Sequence, residues 1–114
     1  MASEAVIRNL RLYLRLLIEK GIPVERGLLF GSYASGESTE ESDLDLLVIS
    51  PLFDRRKTGP LLDTLWRLRR QIDSRIEPVA IGKREFEKEW GSPIIDSARH
   101  QGIEIKPAPS RKSS

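Results

Sequence analysis

The chain has 114 residues, 39% of them hydrophobic and 32% charged, with no cysteine and one histidine. That suffices for one domain with a core of its own, and it excludes a disulfide scaffold, a thiol nucleophile and the usual zinc sites built on cysteine or histidine. Three tail cations, Lys106, Arg111 and Lys112, turn a body of net −1 into a chain of net +2, so the basic balance gives no argument for nucleic-acid binding.

The spacing predicts a helix over residues 3–20, because Val6, Ile7, Leu10, Leu14, Leu17 and Ile18 recur at three- and four-residue steps. Ser3 can cap its start and Gly21 can end it. Met1-Ala2-Ser3-Glu4 has neither the basic start nor the apolar core of a signal peptide. No apolar run approaches the ~20 residues of a membrane span, so a cytoplasmic protein without membrane contact is expected. Residues 24–30 and 43–50 read as strands. From Leu44 to Ile49 only Asp45 interrupts the apolar run, as in a strand buried on both faces mid-sheet. A second helix is expected over 58–73, with Thr58 as cap, Pro60 in the first turn, and Leu61, Leu65, Leu68 and Ile72 inward. Residues 76–81 form a third strand. Pro78 removes a ladder amide there and places that strand at or near an edge. Short helices over 83–90 and 93–101 and a strand at 103–105 complete a domain over 1–105. Residues 106–114 read as a disordered basic tail. The fold class is α/β (α+β), a small central mixed sheet flanked by helices. Tyr13 is expected half-buried, Trp66 and Phe86 packed, and His100 on the surface.

Chemistry concentrates in one stretch. From Gly27 to Asp54 there is no Lys or Arg, but there are Glu37, Glu40, Glu41, Asp43, Asp45 and Asp54. Residues two apart on a strand share a face, so Asp43 and Asp45 project side by side. Two like charges on a core strand cost several kcal/mol unless compensated, and a divalent cation compensates directly. Hard oxygen donors suit Mg²⁺, which takes one or two carboxylates together with substrate phosphates. Gly31, ending a strand, lets a phosphate approach the backbone, and Ser32 adds a hydroxyl donor.

Gly31-Ser32, ten residues, then Asp43-Leu44-Asp45 resembles the signature of the DNA polymerase beta-like nucleotidyltransferase superfamily, and the short length resembles its minimal nucleotidyltransferase branch. The similarity spans about residues 5–82. It implies transfer of a nucleoside monophosphate from a nucleoside triphosphate with release of pyrophosphate, and two Mg²⁺ ions held by three carboxylates. Asp43 and Asp45 match the first two, and Gly31 and Ser32 match the nucleotide-binding turn. The third should come from the next core strand, where Glu77 is the acid present. Glu there departs from the commoner Asp, and Asp73, at a helix end, is the fallback. Tyr33-Ala34-Ser35 also departs, since many relatives place an Arg near the phosphates; Arg55, Arg56 or Lys57 could act in its stead or form a solvated cluster. Minimal nucleotidyltransferases often bind a small all-helical HEPN protein. In the better understood pairs they are antitoxins that add AMP, from ATP, to a tyrosine of that toxin.

Three functions therefore stay open: a protein adenylyltransferase and antitoxin, a small-molecule (aminoglycoside-like) nucleotidyltransferase, and a non-catalytic module that neutralises a partner by contact alone.

Overall fold

In the computed structural model, which describes residues 3–31, 42–88 and 92–110, Ser3 and Gly21 bracket the first helix. Helix α1 (Glu4–Glu19) starts where the Ser3 hydroxyl accepts the Val6 N–H at 3.2 Å. It ends where Gly21 turns left-handed, at φ +97°. There the Ile22 N–H reaches the Leu17 carbonyl and the Gly21 N–H the Ile18 carbonyl, both at 3.0 Å, so the last carbonyls are satisfied. Tyr13 on this helix is wholly buried rather than half-buried. Its hydroxyl donates to the Leu65 carbonyl at 2.7 Å, which is what allows a phenol so deep. Burial pushes that phenol up. Tyr13→Phe should cost about 1 kcal/mol, the net worth of one buried hydrogen bond to a carbonyl that keeps its helical partner, read as a lower urea midpoint with an unchanged slope.

Strands β1 (Arg26–Phe30), β2 (Leu44–Ser50), β3 (Ile76–Gly82) and β4 (Ile103–Ile105) form one sheet in the order β3-β2-β1-β4. β1 is antiparallel to β2 and to β4, while β2 and β3 are parallel. The sheet is thus mixed, with the apolar β2 inside it as its composition requires. A parallel pair needs a crossover, and two helices provide it: α2 (Leu52–Arg55) and α3 (Gly59–Arg69). No periodic pattern marks α2, a single turn set by the Ser50 hydroxyl accepting the Leu52 N–H at 3.1 Å and by buried Phe53. Thr58 caps α3 as expected, accepting from Leu61 at 3.3 Å. α3 ends earlier than the predicted 73. Arg69 closes the turn to β3, donating to the Ser74 carbonyl and, at 3.1 Å, to that of Ile76. Trp66 is 41% exposed, not packed in the core; its ring lies under the Arg69 guanidinium, 4.7 Å away.

Helices α4 (Lys83–Lys88) and α5 (Pro93–Gln101) follow β3. Alternation along β2 divides the core. Leu44, Leu46 and Val48 face α1 and α3, whereas Leu47 and Ile49 face Phe86 of α4 with Ile95 and Ala98 of α5. Trp90 lies outside the described residues. His100 is exposed, its Nδ1 2.8 Å from the Asp96 carbonyl.

β3 is an edge strand, as Pro78 demanded. The Leu44 N–H bonds the Arg75 carbonyl, so odd-numbered β3 residues address β2 and even-numbered ones point outward. Pro78 is therefore outward, where it leaves no ladder bond unmade. The outward N–H groups of Ile76 and Gly82 are taken by the Asp73 carbonyl at 3.1 Å and by Glu85 Oε1 at 3.0 Å. This edge is largely closed to a further strand.

Residues 106–110, the head of the expected tail, run along α1. The Ala108 N–H reaches the Arg11 carbonyl at 3.1 Å, and Arg11 Nε the Lys106 carbonyl at 3.1 Å. Sequence reasoning missed this because Pro-Ala-Pro has no periodicity, yet an extended segment can still satisfy its backbone on a helix surface. Among the described residues no helix is long and apolar enough to cross a membrane.

Candidate active site

The β2–β3 register sets Asp45 beside Glu77, and the β1–β2 register sets Phe30 across from Asp45. Along β2 the row on one face runs Asp45, Leu47, Ile49, with Asp43 one residue before the strand begins; along β3 it runs Glu77, Val79, Ile81. α4 and α5 cover the apolar half of both rows. The acids occupy the other half of that face, at the entry ends of two parallel strands.

Proximity shows in their protonation. Burial, then the Asp43 charge, push the Asp45 carboxyl up, against a hydrogen bond with Glu77 that favours its ionised form. Burial pushes the Glu77 carboxyl up as well, followed by the charge of Asp43, a hydrogen bond with it, and the same two effects from Asp45. Among the described residues no ion pair joins a cation to any of the three. Asp43, Asp45 and Glu77 offer hard oxygen donors of the kind Mg²⁺ takes. Among the described residues no three acidic, histidine or cysteine side chains stand grouped so as to hold a metal ion.

Gly31 completes the picture differently from the expectation. It stands at φ +73°, directly after β1, and a Cβ there would lie 2.2 Å from Asp45 Oδ2. The space that glycine leaves is filled by the Asp45 carboxylate. The turn that opens the signature and the acid that closes it are thus in direct contact. Ser32 lies outside the described residues, as do Tyr33, Ala34 and Ser35.

The remaining candidates are structural. Asp73 holds Arg75 through both carboxylate oxygens, at 3.1 and 2.8 Å, and accepts from Asn9 at 3.3 Å. These partners keep its carboxyl below the usual range, led by Arg75. Asp54 caps α4 from outside, accepting from the Arg84 N–H at 2.9 Å and the Glu85 N–H at 3.2 Å. Arg55, Arg56 and Lys57 are exposed and follow the exit end of β2, about 20 Å of strand from Asp43. Lys57 pairs with Glu85 at 2.7 Å.

The sequence match that decides the family covers most of the chain: a model of the nucleotidyltransferase domain matches residues 10–102. The chain belongs to the nucleotidyltransferase domain family. This nucleotidyltransferase is 28% identical, over 83 residues, to the Methanocaldococcus jannaschii protein called "Putative protein adenylyltransferase MJ0141"; the match covers 72% of the chain and 79% of that protein. Its fold is similar to that of a toxin-antitoxin crystal structure solved with AMP-PNP, at TM-score 0.59 and 19% identity over 90% of this chain and 73% of that one. It is similar to a toxin-antitoxin MntA-HpeT mutant, at TM-score 0.58 and 18% identity over 83% and 70% of the two chains. The nucleotidyltransferase is an enzyme by family, and its mixed sheet flanked by helices is the fold of those neighbours.

The acids carry a pH signature. A carboxyl raised in the folded state binds more protons folded than unfolded, so stability falls as pH rises through and above the ordinary carboxylate range. Glu77→Gln should therefore raise the thermal midpoint near neutral pH, with a gain that fades below about pH 4, where glutamate is protonated in both states. Midpoints followed by circular dichroism across pH check it.

Proposed function

We propose that this nucleotidyltransferase moves AMP from ATP to a hydroxyl of a partner protein, a tyrosine of a HEPN-family toxin, and so acts as a protein adenylyltransferase and antitoxin. The observation that carries the reading is Asp45 paired beside Glu77, with Asp43 close enough to act on both and Gly31 against Asp45. The similarity to a chain called a protein adenylyltransferase, and to toxin-antitoxin folds, supports the acceptor class.

Asp43, Asp45 and Glu77 would hold two Mg²⁺ ions. When bound, these neutralise the triphosphate and the leaving pyrophosphate. The acceptor oxygen bonds to the α-phosphorus while the bridge from the α-phosphorus to the β-phosphate oxygen breaks, and pyrophosphate leaves with that oxygen. The acceptor proton goes to a carboxylate of the cluster. Asp45 and Glu77, paired across β2 and β3, are the carboxylates placed to accept it. Gly31 seats the Asp45 carboxylate at the end of β1, and Gly31 and Ser32, which match the nucleotide-binding signature, would contact the phosphates. The acids also orient the acceptor, since positioning dominates phosphoryl transfer.

The test is incubation with α-labelled ATP, Mg²⁺ and the protein encoded beside this chain. Label on a partner tyrosine, lost with EDTA, is expected. A complex without label would instead make the chain a contact-only neutraliser.

A further inference from the structure

The layer opposite the acids carries its own surface. Three adjoining clefts of about 460, 380 and 320 Å³ follow α1 and α3. Leu12 is common to the first and third, and Gln71 to the second and third, so the three adjoin along one surface, the α1–α3 furrow. Its floor is apolar: Ile7, Leu12, Leu16, Leu68 and Ile72. Its walls carry Arg8, Arg11, Arg15, Lys20 and Arg67 against the two acids Glu4 and Glu19.

The cations are mostly unspent. Among the described residues the side chains of Arg8, Lys20 and Arg67 form no ion pair. Arg11 and Arg15 are partly engaged: Arg11 Nε donates to the Lys106 carbonyl at 3.1 Å and Arg15 Nη1 to the Ala108 carbonyl at 3.5 Å, while Arg15 Nε, 3.9 Å from Glu19, has no hydrogen-bond acceptor among the described residues. A purely solvated basic face needs no apolar floor. An apolar floor between cationic walls fits an apolar ridge edged with carboxylates, which buries the floor and pairs the walls together.

We infer that the α1–α3 furrow docks a partner protein through an acidic-edged apolar helix, on the side of the sheet away from the acids; this rests on the reading that the chain acts with a partner protein. Residues 106–108 already lie on the α1 rim of the furrow, Ala108 lining the first cleft. The next charged residues in sequence, Arg111 and Lys112, have the wrong sign to pair its cationic walls. Nucleic acid suits it poorly, because phosphates gain nothing from the floor and are repelled by Glu4 and Glu19. Docking on this layer leaves Asp43, Asp45 and Glu77 open, so binding and transfer are separable.

Calorimetric titration of the full chain with the protein encoded beside it tests this, at about 50 and about 300 mM NaCl, where screening differs strongly. The Arg8→Glu, Arg67→Glu double variant should bind at least about tenfold more weakly, and wild-type affinity should fall with salt. Both arginines are exposed, so unchanged circular dichroism is expected. Asp45→Asn should bind as wild type does. The proposal is overturned if the double variant binds normally, if Asp45→Asn weakens binding as much, or if wild type forms no complex. It is equally overturned if the furrow proves to hold a second copy, seen as self-association lost in the double variant, or RNA in place of protein. Furrow-dependent binding without AMP label defeats only the transfer reading; label with furrow-independent binding defeats only the docking.

Discussion

Asp45→Asn should reduce nucleotidyl transfer by at least about 100- to 1,000-fold, the scale of losing one electrostatic group aimed at a transition state, while leaving the protein folded and more heat-stable. Both halves follow from the same contact. Asp45 sits beside Glu77 and near Asp43, and burial together with the Asp43 charge raises its carboxyl. Near neutral pH the ionised cluster is a cost to folding, and the neutral amide, of the same shape, removes part of it. The gain should fade as pH falls into the carboxylate range, where the wild-type acids are neutral too. Adding Mg²⁺ should raise the wild-type midpoint and leave that of Asp45→Asn nearly still. Transfer from α-labelled ATP and differential scanning calorimetry with and without Mg²⁺ check the pair of effects. Full transfer by Asp45→Asn would remove Asp45 from the chemistry, and a lowered midpoint would show that its role is structural.

Gly31→Ala should be the second severe change. Two penalties coincide at this residue. A side chain at φ +73° costs about 1–2 kcal/mol relative to glycine. Its Cβ would also lie 2.2 Å from Asp45 Oδ2, so the carboxylate must leave its place. The expected result is a lower urea midpoint together with loss of transfer as deep as that of Asp45→Asn. Gly21→Ala is the control. It shares the left-handed backbone, at φ +97°, but nothing lies within 4 Å of a Cβ there. It should lose stability by a similar backbone increment and keep its activity. Equal activity in the two variants would mean that the contact with Asp45 does not position the acid.

Much of the site was legible because its signals are local. Asp43 and Asp45 lie two apart at the start of a strand, and strand geometry alone puts them on one face. Pro78 announced an edge strand because a missing amide can be tolerated only where no ladder bond is due. Glu77 was harder. Its alignment with Asp45 depends on a parallel register set by a crossover through α2 and α3, and α2 left no trace in the pattern. Asp54 belongs to the acidic run in sequence, but its carboxylate caps a helix 30 residues on, so it lies outside the site.

Side-chain period, turn chemistry and charge order are properties of neighbours along the chain. They determined the strands, every helix but α2, the carboxylate pair at the start of β2 and the glycine that ends β1. Contacts between distant segments carry no such record, because loop closure joins any two surfaces that pack well. Only the tertiary structure decided that Glu77 stands beside Asp45, that Asp73 is bound to Arg75 and Asn9, and that the basic furrow and the acids lie on opposite sides of one sheet.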